Sequence, residues 1–354
     1  MRTDELDYQL PDDRIARHPT PERDGARMLV VESQQLRDAW VRDWAASVPG
    51  GSLVVVNDTR VLRARLLGRR RGTGGHVELL LLEHAVGSSV GGPVESWVAL
   101  ARPMRALKSG TWLDLDGLSA RVVERTEEGC VVVELHSIVG ASVGAEIERI
   151  GHVPIPPYLG RDDEPSDVER YQTVYANQVG SVAAPTAGLH LTDGALEMLR
   201  ERGVRVGRTT LHVGIGTFRP VSVDDLDAHV MHTERYEVSE ELANEIAETR
   251  SRGGRVVAVG TTVVRSLESA SDPLRPGHVV VQSATTNLLI QPGYRFGVVD
   301  GLLTNFHQPR STLLSLVAAA IGLQRMKEAY AVALARGYRF LSYGDAMWIP
   351  EILR

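Results

Sequence analysis

Cysteine is nearly absent: Cys130 stands alone in 354 residues. A single thiol excludes an intramolecular disulfide and any zinc site built on cysteines. Lysine is scarce too, since Lys108 and Lys327 are the only two among 39 basic residues. The cationic groups are therefore arginines, whose planar fork suits phosphate oxygens better than a compact ammonium does. The longest apolar run, Leu313 to Leu323, is broken by Ser315 and Gly322. It falls short of the roughly 20 residues a membrane span requires. Met1 to Arg14 is charged throughout and lacks an apolar signal segment, so the expectation is a cytoplasmic protein that engages no membrane.

Acidic residues outnumber basic ones by 45 to 39, for a net charge of −6. That excludes a generic polyanion binder but not a local nucleic-acid site, because a docked partner feels the local field. The content, 43% hydrophobic and 24% charged, is that of a globular chain with a proper core. Its length suggests about two domains.

From about Val61 to Ile147 the pattern is one of short strands. HVELLLLE (His76–Glu83), ESWVALA (Glu95–Ala101), SARVVE (Ser119–Glu124) and CVVVEL (Cys130–Leu135) are separated by glycine-rich turns. No helical periodicity interrupts them, which predicts a small barrel or sandwich. On either side strands and helices alternate. GSLVVVN (Gly51–Asn57), Thr209 to Val213 and Arg255 to Val259 read as strands. Ala195 to Arg202, a helix from Ser239 to about Arg252, Thr261 to Ser269, Thr312 to Ile321 behind Ser311, and Gln324 to Arg336 read as helices. Such alternation predicts an α/β layer or barrel. The expected division is an α/β domain from residues 1–60 and 150–354, with an all-β domain inserted at 61–149.

Functional side chains crowd the blocks AAPTAGLHLT (Ala183–Thr192), TLHVGIGTFRPV (Thr210–Val221), HVMHTE (His229–Glu234), VGTTVVRSLES (Val259–Ser269), PGYRF (Pro292–Phe296), TNFHQPRSTL (Thr304–Leu313) and SYGDAM (Ser342–Met347). Six of the eleven histidines lie between His190 and His307. Gly214 and Gly216 follow a strand, but the third glycine of a dinucleotide fingerprint is missing and Pro220 stands where its helix would run. His229, His232 and Glu234 could be taken for a metal set, yet their spacing is common by chance and no metal is expected. No serine occupies a nucleophile elbow. His190 and His212 could equally be hydrogen-bonded core residues, and Asp345 a turn residue.

Taken together, these blocks resemble the S-adenosylmethionine:tRNA ribosyltransferase-isomerase family of queuosine biosynthesis. The resemblance also covers DYQLPDDRIARHP (Asp7–Pro19), VVNDTRVLRARLLG (Val55–Gly68), IPPYL (Ile155–Leu159) and YRFLSYGDAM (Tyr338–Met347). It implies an α/β barrel-like main domain with an inserted β-barrel. It implies that the ribosyl unit of S-adenosylmethionine moves onto 7-aminomethyl-7-deazaguanine at the tRNA wobble position, giving epoxyqueuosine, adenine and methionine. S-adenosylmethionine would be a substrate, with no true cofactor, and the enzyme a monomer bound to the anticodon region. Two other functions are compatible with the same fold: a paralog with another acceptor, and a non-catalytic RNA-binding module.

The sulfonium of such a donor acidifies the adjacent 5′ protons, so the site needs a base near neutrality and an acid for departing adenine. His190 and His307 are the preferred candidates, with His212 and Asp345 beside them. Thr186, Thr217, Thr262, Asn305, Tyr294, Glu234 and His232 are expected to hold substrate. His190, His212 and His307 are expected to face one cleft. For tRNA the candidates are Arg60, Arg63, Arg65, Arg69, Arg70 and Arg71, with Arg102, Arg105 and Lys108. Arginines 63, 65, 69 and 71 would share a strand face if the strand runs unbroken. The chain departs from the family pattern at Leu191, where Phe is usual, at Leu289 and Gln291, where Asp-Ile-Phe-Ile usually precedes Pro292, and at Gln308, where Leu is usual.

Overall fold

The computed structural model describes residues 1–126, 129–214 and 221–353. Its strands are β1 (Arg27–Val31), β2 (Leu36–Trp40), β3 (Leu53–Asn57), β4 (Thr59–Val61), β5 (Arg65–Arg70), β6 (His76–His84), β7 (Val94–Arg102), β8 (Trp112–Leu115), β9 (Leu118–Arg125), β10 (Val131–Ser137), β11 (Gln178–Ser181), β12 (Arg205–Leu211), β13 (Glu234–Val238), β14 (Val256–Val259), β15 (Gln282–Thr286), β16 (Gly301–Asn305) and β17 (Ala346–Ile349). The helices are α1 (Trp44–Ser47), α2 (Val143–Ile150), α3 (Asp167–Arg170), α4 (Asp193–Glu201), α5 (Glu240–Ser251), α6 (Thr261–Ser269), α7 (Thr312–Ile321) and α8 (Leu323–Ala335).

Nine strands form one mixed sheet in the order β15-β13-β12-β3-β14-β16-β17-β1-β2. The centre, β12-β3-β14-β16, is parallel, and antiparallel pairs flank it. β3, β14, β16 and β17 are buried along their whole length, as strands covered on both faces must be. Side chains alternate between two cores. Leu53 and Val55 of β3, Val256 and Ala258 of β14 and Leu302 of β16 join α5, α6, α7 and α8 on one face. Val54, Val56, Val257, Val259 and Leu303 join Trp44 of α1 and Leu196 and Leu199 of α4 on the other.

β5 to β10 close into an antiparallel barrel in the order β10-β7-β6-β5-β8-β9. Leu66, Leu79, Leu81, Val122, Val133 and Leu135 point inward from alternate positions. The α/β reading therefore holds for the main layer and the small-barrel reading for the insert. What was expected to be barrel-like is, by its strand order, a mixed sheet with edges at β15 and β2. Three helices were missed: α1 and α3, of four residues each, and α2, which is capped by the Ser142 hydroxyl and sends Val143 and Ile147 into the barrel core. Val143, Ile147 and Ile150 stand at helical spacing, but within only eight residues.

The chain passes from the sheet to the barrel through β4, which pairs in parallel with β11. Buried Asn57 makes the turn. Its amide donates to the Leu211 carbonyl and its Oδ1 accepts from the N–H groups of Thr59 and Leu211. Where the chain leaves the barrel, Arg65 and His152 exchange both backbone hydrogen bonds. Chain entering and chain leaving thus run side by side.

Candidate active site

β14 and β16 are parallel neighbours, so their C-terminal ends, Val259 and Asn305, open at the same edge of the sheet. Ligands of open α/β sheets bind at such edges. Here the edge is a cavity. Its walls are the segment Ala183–Ala187, the start of α6, the turn from Asn305 to Ser311, and the stretch from His229 to Glu234. Tyr158, Tyr171 and Ser342 close one side.

Asn305 is the hub. Thr186 Oγ1 donates to Asn305 Oδ1 at 2.9 Å, and Asn305 Nδ2 donates to His190 Nε2 at 3.2 Å. His190 ends a short 3-10 helix, Thr186–His190, and is buried behind Asn305, outside the cavity lining. His307 does line the cavity, with Nε2 2.9 Å from Thr304 Oγ1. Its backbone is fixed on both sides: its N–H donates to Tyr330 Oη, and its carbonyl accepts from Tyr8 Oη. Burial holds the imidazoles of His190 and His307 down, each at about 4, because charging them in an apolar surround is unfavourable. Both are neutral near pH 7 and free to accept a proton, but burial makes them weaker bases than the near-neutral group expected from the chemistry.

Glu234 and Arg265 form a buried ion pair in the cavity wall, 6% and 5% exposed. Glu234 also accepts from the Gly214 N–H. His232 and Thr262 line the same cavity. So does His229, whose ring burial and the nearby His232 lower in pKa. Among the described residues no cluster of three His, Cys, Asp or Glu side chains has the geometry of a metal site.

Three expected site residues stand elsewhere. His212 is hydrogen-bonded through Nδ1 to Thr59 Oγ1 at 2.9 Å and packs on Gly180 of β11. It is therefore tied to the β4–β11 junction, and the expected three-histidine cleft does not form. Asp345 is buried and accepts from the backbone N–H groups of Arg27 and Arg339, at 2.9 and 2.7 Å. It clamps the start of β1 beside β17, with burial raising its pKa. Tyr294 donates to Glu268, whose carboxylate gathers the N–H groups of Gly297, Val298 and Val299, so it serves a loop. Thr217 lies outside the described residues. Arg265, Tyr158 and Tyr171 were not anticipated. The one available signal was a lone arginine in the block VGTTVVRSLES.

Of the departures, Leu191 is packed in the core with Leu196 and Leu199 and is not among the residues lining this cavity, so its replacement of Phe removes no stacking partner there. Gln308 does line the cavity.

The basic residues divide. Arg63 spends its guanidinium on the carbonyls of Gly151 and Glu148. Arg65 is half-buried among Glu78, Asp162 and Asp163. Arg60 is exposed on β4, outside the barrel. β5 covers only Arg65 to Arg70, so no unbroken strand carries arginines 63 to 71 on one face. Arg70, Arg71, Arg105 and Lys108 instead meet in a shallow groove at the far end of the barrel, beside Trp112. Arg71 stacks over Trp112 and pairs with exposed Asp114. Arg69 is exposed on β5 and Arg102 on β7, with β6 between them.

Fold and cavity define an α/β catalytic layer with an all-β insert, its proton-accepting groups at the ends of parallel strands and a separate cationic groove on the insert. The chain belongs to the family described as queuosine biosynthesis protein, which it matches over residues 3–349. It is 53% identical to the S-adenosylmethionine:tRNA ribosyltransferase-isomerase of Sorangium cellulosum, over 99% of both chains. To the protein of the same name from Pelotomaculum thermopropionicum it is 46% identical, over 99% of this chain and all of the other. The crystal structure of the S-adenosylmethionine tRNA ribosyltransferase from Thermotoga maritima is similar, with a TM-score of 0.53 and 34% identity over 98% of this chain and 99% of that one.

Proposed function

We propose that the chain transfers and isomerises the ribosyl unit of S-adenosylmethionine onto 7-aminomethyl-7-deazaguanine at the tRNA wobble position, releasing adenine and methionine and leaving epoxyqueuosine. The observation that carries this reading is the neutral His307 in one cavity with Asn305, Thr186 and Thr262, in a chain of this family. His307 takes the 5′ proton acidified by the sulfonium. The C4′–O4′ bond breaks as adenine leaves C1′ with a proton, and an aldehyde forms there. The aminomethyl nitrogen then bonds to C4′ and loses a proton, C5′ closes onto C1′, and the resulting alkoxide displaces methionine from C5′ to give the epoxide. Positioned proton transfer of this kind contributes roughly 10²–10⁴-fold. His190 acts through Asn305, which it orients toward the ribose. The chemistry calls for no cofactor, because S-adenosylmethionine is consumed as a substrate.

The tRNA backbone rests in the barrel groove, with the anticodon region reaching the cavity. Arg70, Arg71, Arg105 and Lys108 supply the cations, with Arg71 over the Trp112 ring. The division of the chain near residues 61 and 149, a monomeric state and a cytoplasmic location belong to the same reading. Separate cores in the sheet and the barrel support the division.

Incubation with ribose-labelled S-adenosylmethionine and tRNA bearing the aminomethyl base tests it. Adenine release together with label in the tRNA is expected. Adenine release only with a different acceptor would mean a paralog. Bound tRNA without either signal would mean a binding module.

A further inference from the structure

α6 begins at the cavity. Its N-cap is Gly260, with φ +93°, and the Gly260 N–H is taken by the Leu303 carbonyl at 2.8 Å. A Cβ at that glycine would come within 3.6 Å of Ala187 Cβ and 3.7 Å of Thr262 Oγ1. Glycine brings no side-chain oxygen to the first turn, and among the described residues the N–H groups of Thr261, Thr262 and Val263 have no acceptor. The helix end adds roughly half a positive charge.

A second observation is independent of the helix. Thr262 is 9% exposed and lines the cavity, and its Oγ1 is buried without a partner among the described residues. Arg265, one turn further on, pairs with Glu234 through Nη1, while its Nε is likewise buried and unpartnered. A buried donor without an acceptor is unfavourable, and native structures keep few of them. Thr262 and Arg265 both line the cavity, and Thr262 does so in the first turn of the helix. Such an arrangement suits an anion.

We propose that the α6 end of the cavity seats the carboxylate of the donor's amino-acid part, with Thr262 Oγ1 and the first N–H groups of α6 donating to it. The proposal rests on S-adenosylmethionine being the donor. A carboxylate is favoured over a tRNA phosphate for two reasons. The Arg265 charge is already balanced by Glu234, so the seat offers directed donors rather than net charge. The cations suited to a polynucleotide lie in the barrel groove, where only Arg71 of the four has a carboxylate partner among the described residues.

Titration calorimetry with two probes tests this, S-adenosylmethionine and its decarboxylated analogue. Thr262→Val keeps the shape and removes the donor. It should weaken S-adenosylmethionine by about tenfold, equivalent to about 1.4 kcal/mol, and leave the decarboxylated analogue unchanged. Thr262→Ser should restore affinity to within about threefold, since it restores the hydroxyl. Wild-type enzyme should bind the analogue at least about tenfold more weakly than the parent. Affinity for tRNA should be the same in wild type and Thr262→Val. An equal loss for both probes, or no loss in a Thr262→Val protein with the wild-type urea midpoint, overturns the assignment. Should Thr262→Val fail to fold, Thr262→Ala is read by the same ratio of the two probes. Weakened tRNA with unchanged S-adenosylmethionine would put a phosphate there and also overturn it. Wild-type enzyme that binds neither probe would instead sink the donor reading itself.

Discussion

Acid should destabilise this protein through two particular side chains. His190 and His307 are held near pKa 4 by burial, whereas an unfolded histidine titrates near 6.5. The unfolded chain therefore binds protons first as the pH falls, and stability drops through the window between those values. Above it both states are neutral and the histidines contribute nothing. Between about pH 7 and about pH 5 each should cost the native state about 2 kcal/mol, or about 4 together. His307→Gln removes one titration while leaving a group that can bond the Thr304 hydroxyl. Urea unfolding at the two pH values should then show a loss smaller by about 2 kcal/mol in the variant than in wild type. His212 and His229, also lowered by burial, remain in both proteins and cancel. An identical loss in the two proteins would mean that His307 is not held neutral by burial.

Replacing Glu234 by Gln should destabilise the fold by roughly 3–5 kcal/mol, because Arg265 is left charged and buried; the double variant with Arg265→Met should recover much of that loss in urea melts. Changing Arg70, Arg71 and Arg105 to Ala should lower the log–log salt slope of tRNA binding by roughly 2–3 while calorimetry finds S-adenosylmethionine affinity intact; an unchanged slope would reduce the groove to a solvated face. Tyr294→Phe removes a hydrogen bond to the buried Glu268 carboxylate, so it should cost roughly 1.5–3 kcal/mol of stability and leave turnover at the wild-type rate.

What was legible in the sequence followed from local pattern. The barrel strands β6, β7, β9 and β10 alternate inward and outward residues between glycine turns, and the capped helices α5 and α7 announce their starts at Ser239 and Ser311. β16 and β17 were not legible. Each is short, buried on both faces, and so lacks the alternation that marks a strand. Among the site residues, Thr186, Thr262, Asn305, Glu234, His232 and His307 come together because the ends of β14 and β16 bring their blocks to one edge. His212 and Asp345 stand in equally dense blocks. A block cannot tell a side chain that faces a cavity from one that satisfies Thr59 or two backbone N–H groups. The arginines show the same limit. Arg65 counts as a free cation until the fold brings Glu78, Asp162 and Asp163 around it.

The most direct test is a single-turnover reaction of wild type and His307→Gln with ribose-labelled S-adenosylmethionine and tRNA carrying the aminomethyl base. Wild type should pass the label to tRNA with one adenine released per transfer. The variant should lose roughly 10²–10⁴-fold in rate while its affinity for S-adenosylmethionine is kept, since the lost interaction belongs to the transition state. Label transfer at the wild-type rate in His307→Gln, or no transfer by wild type to this tRNA, would contradict the account.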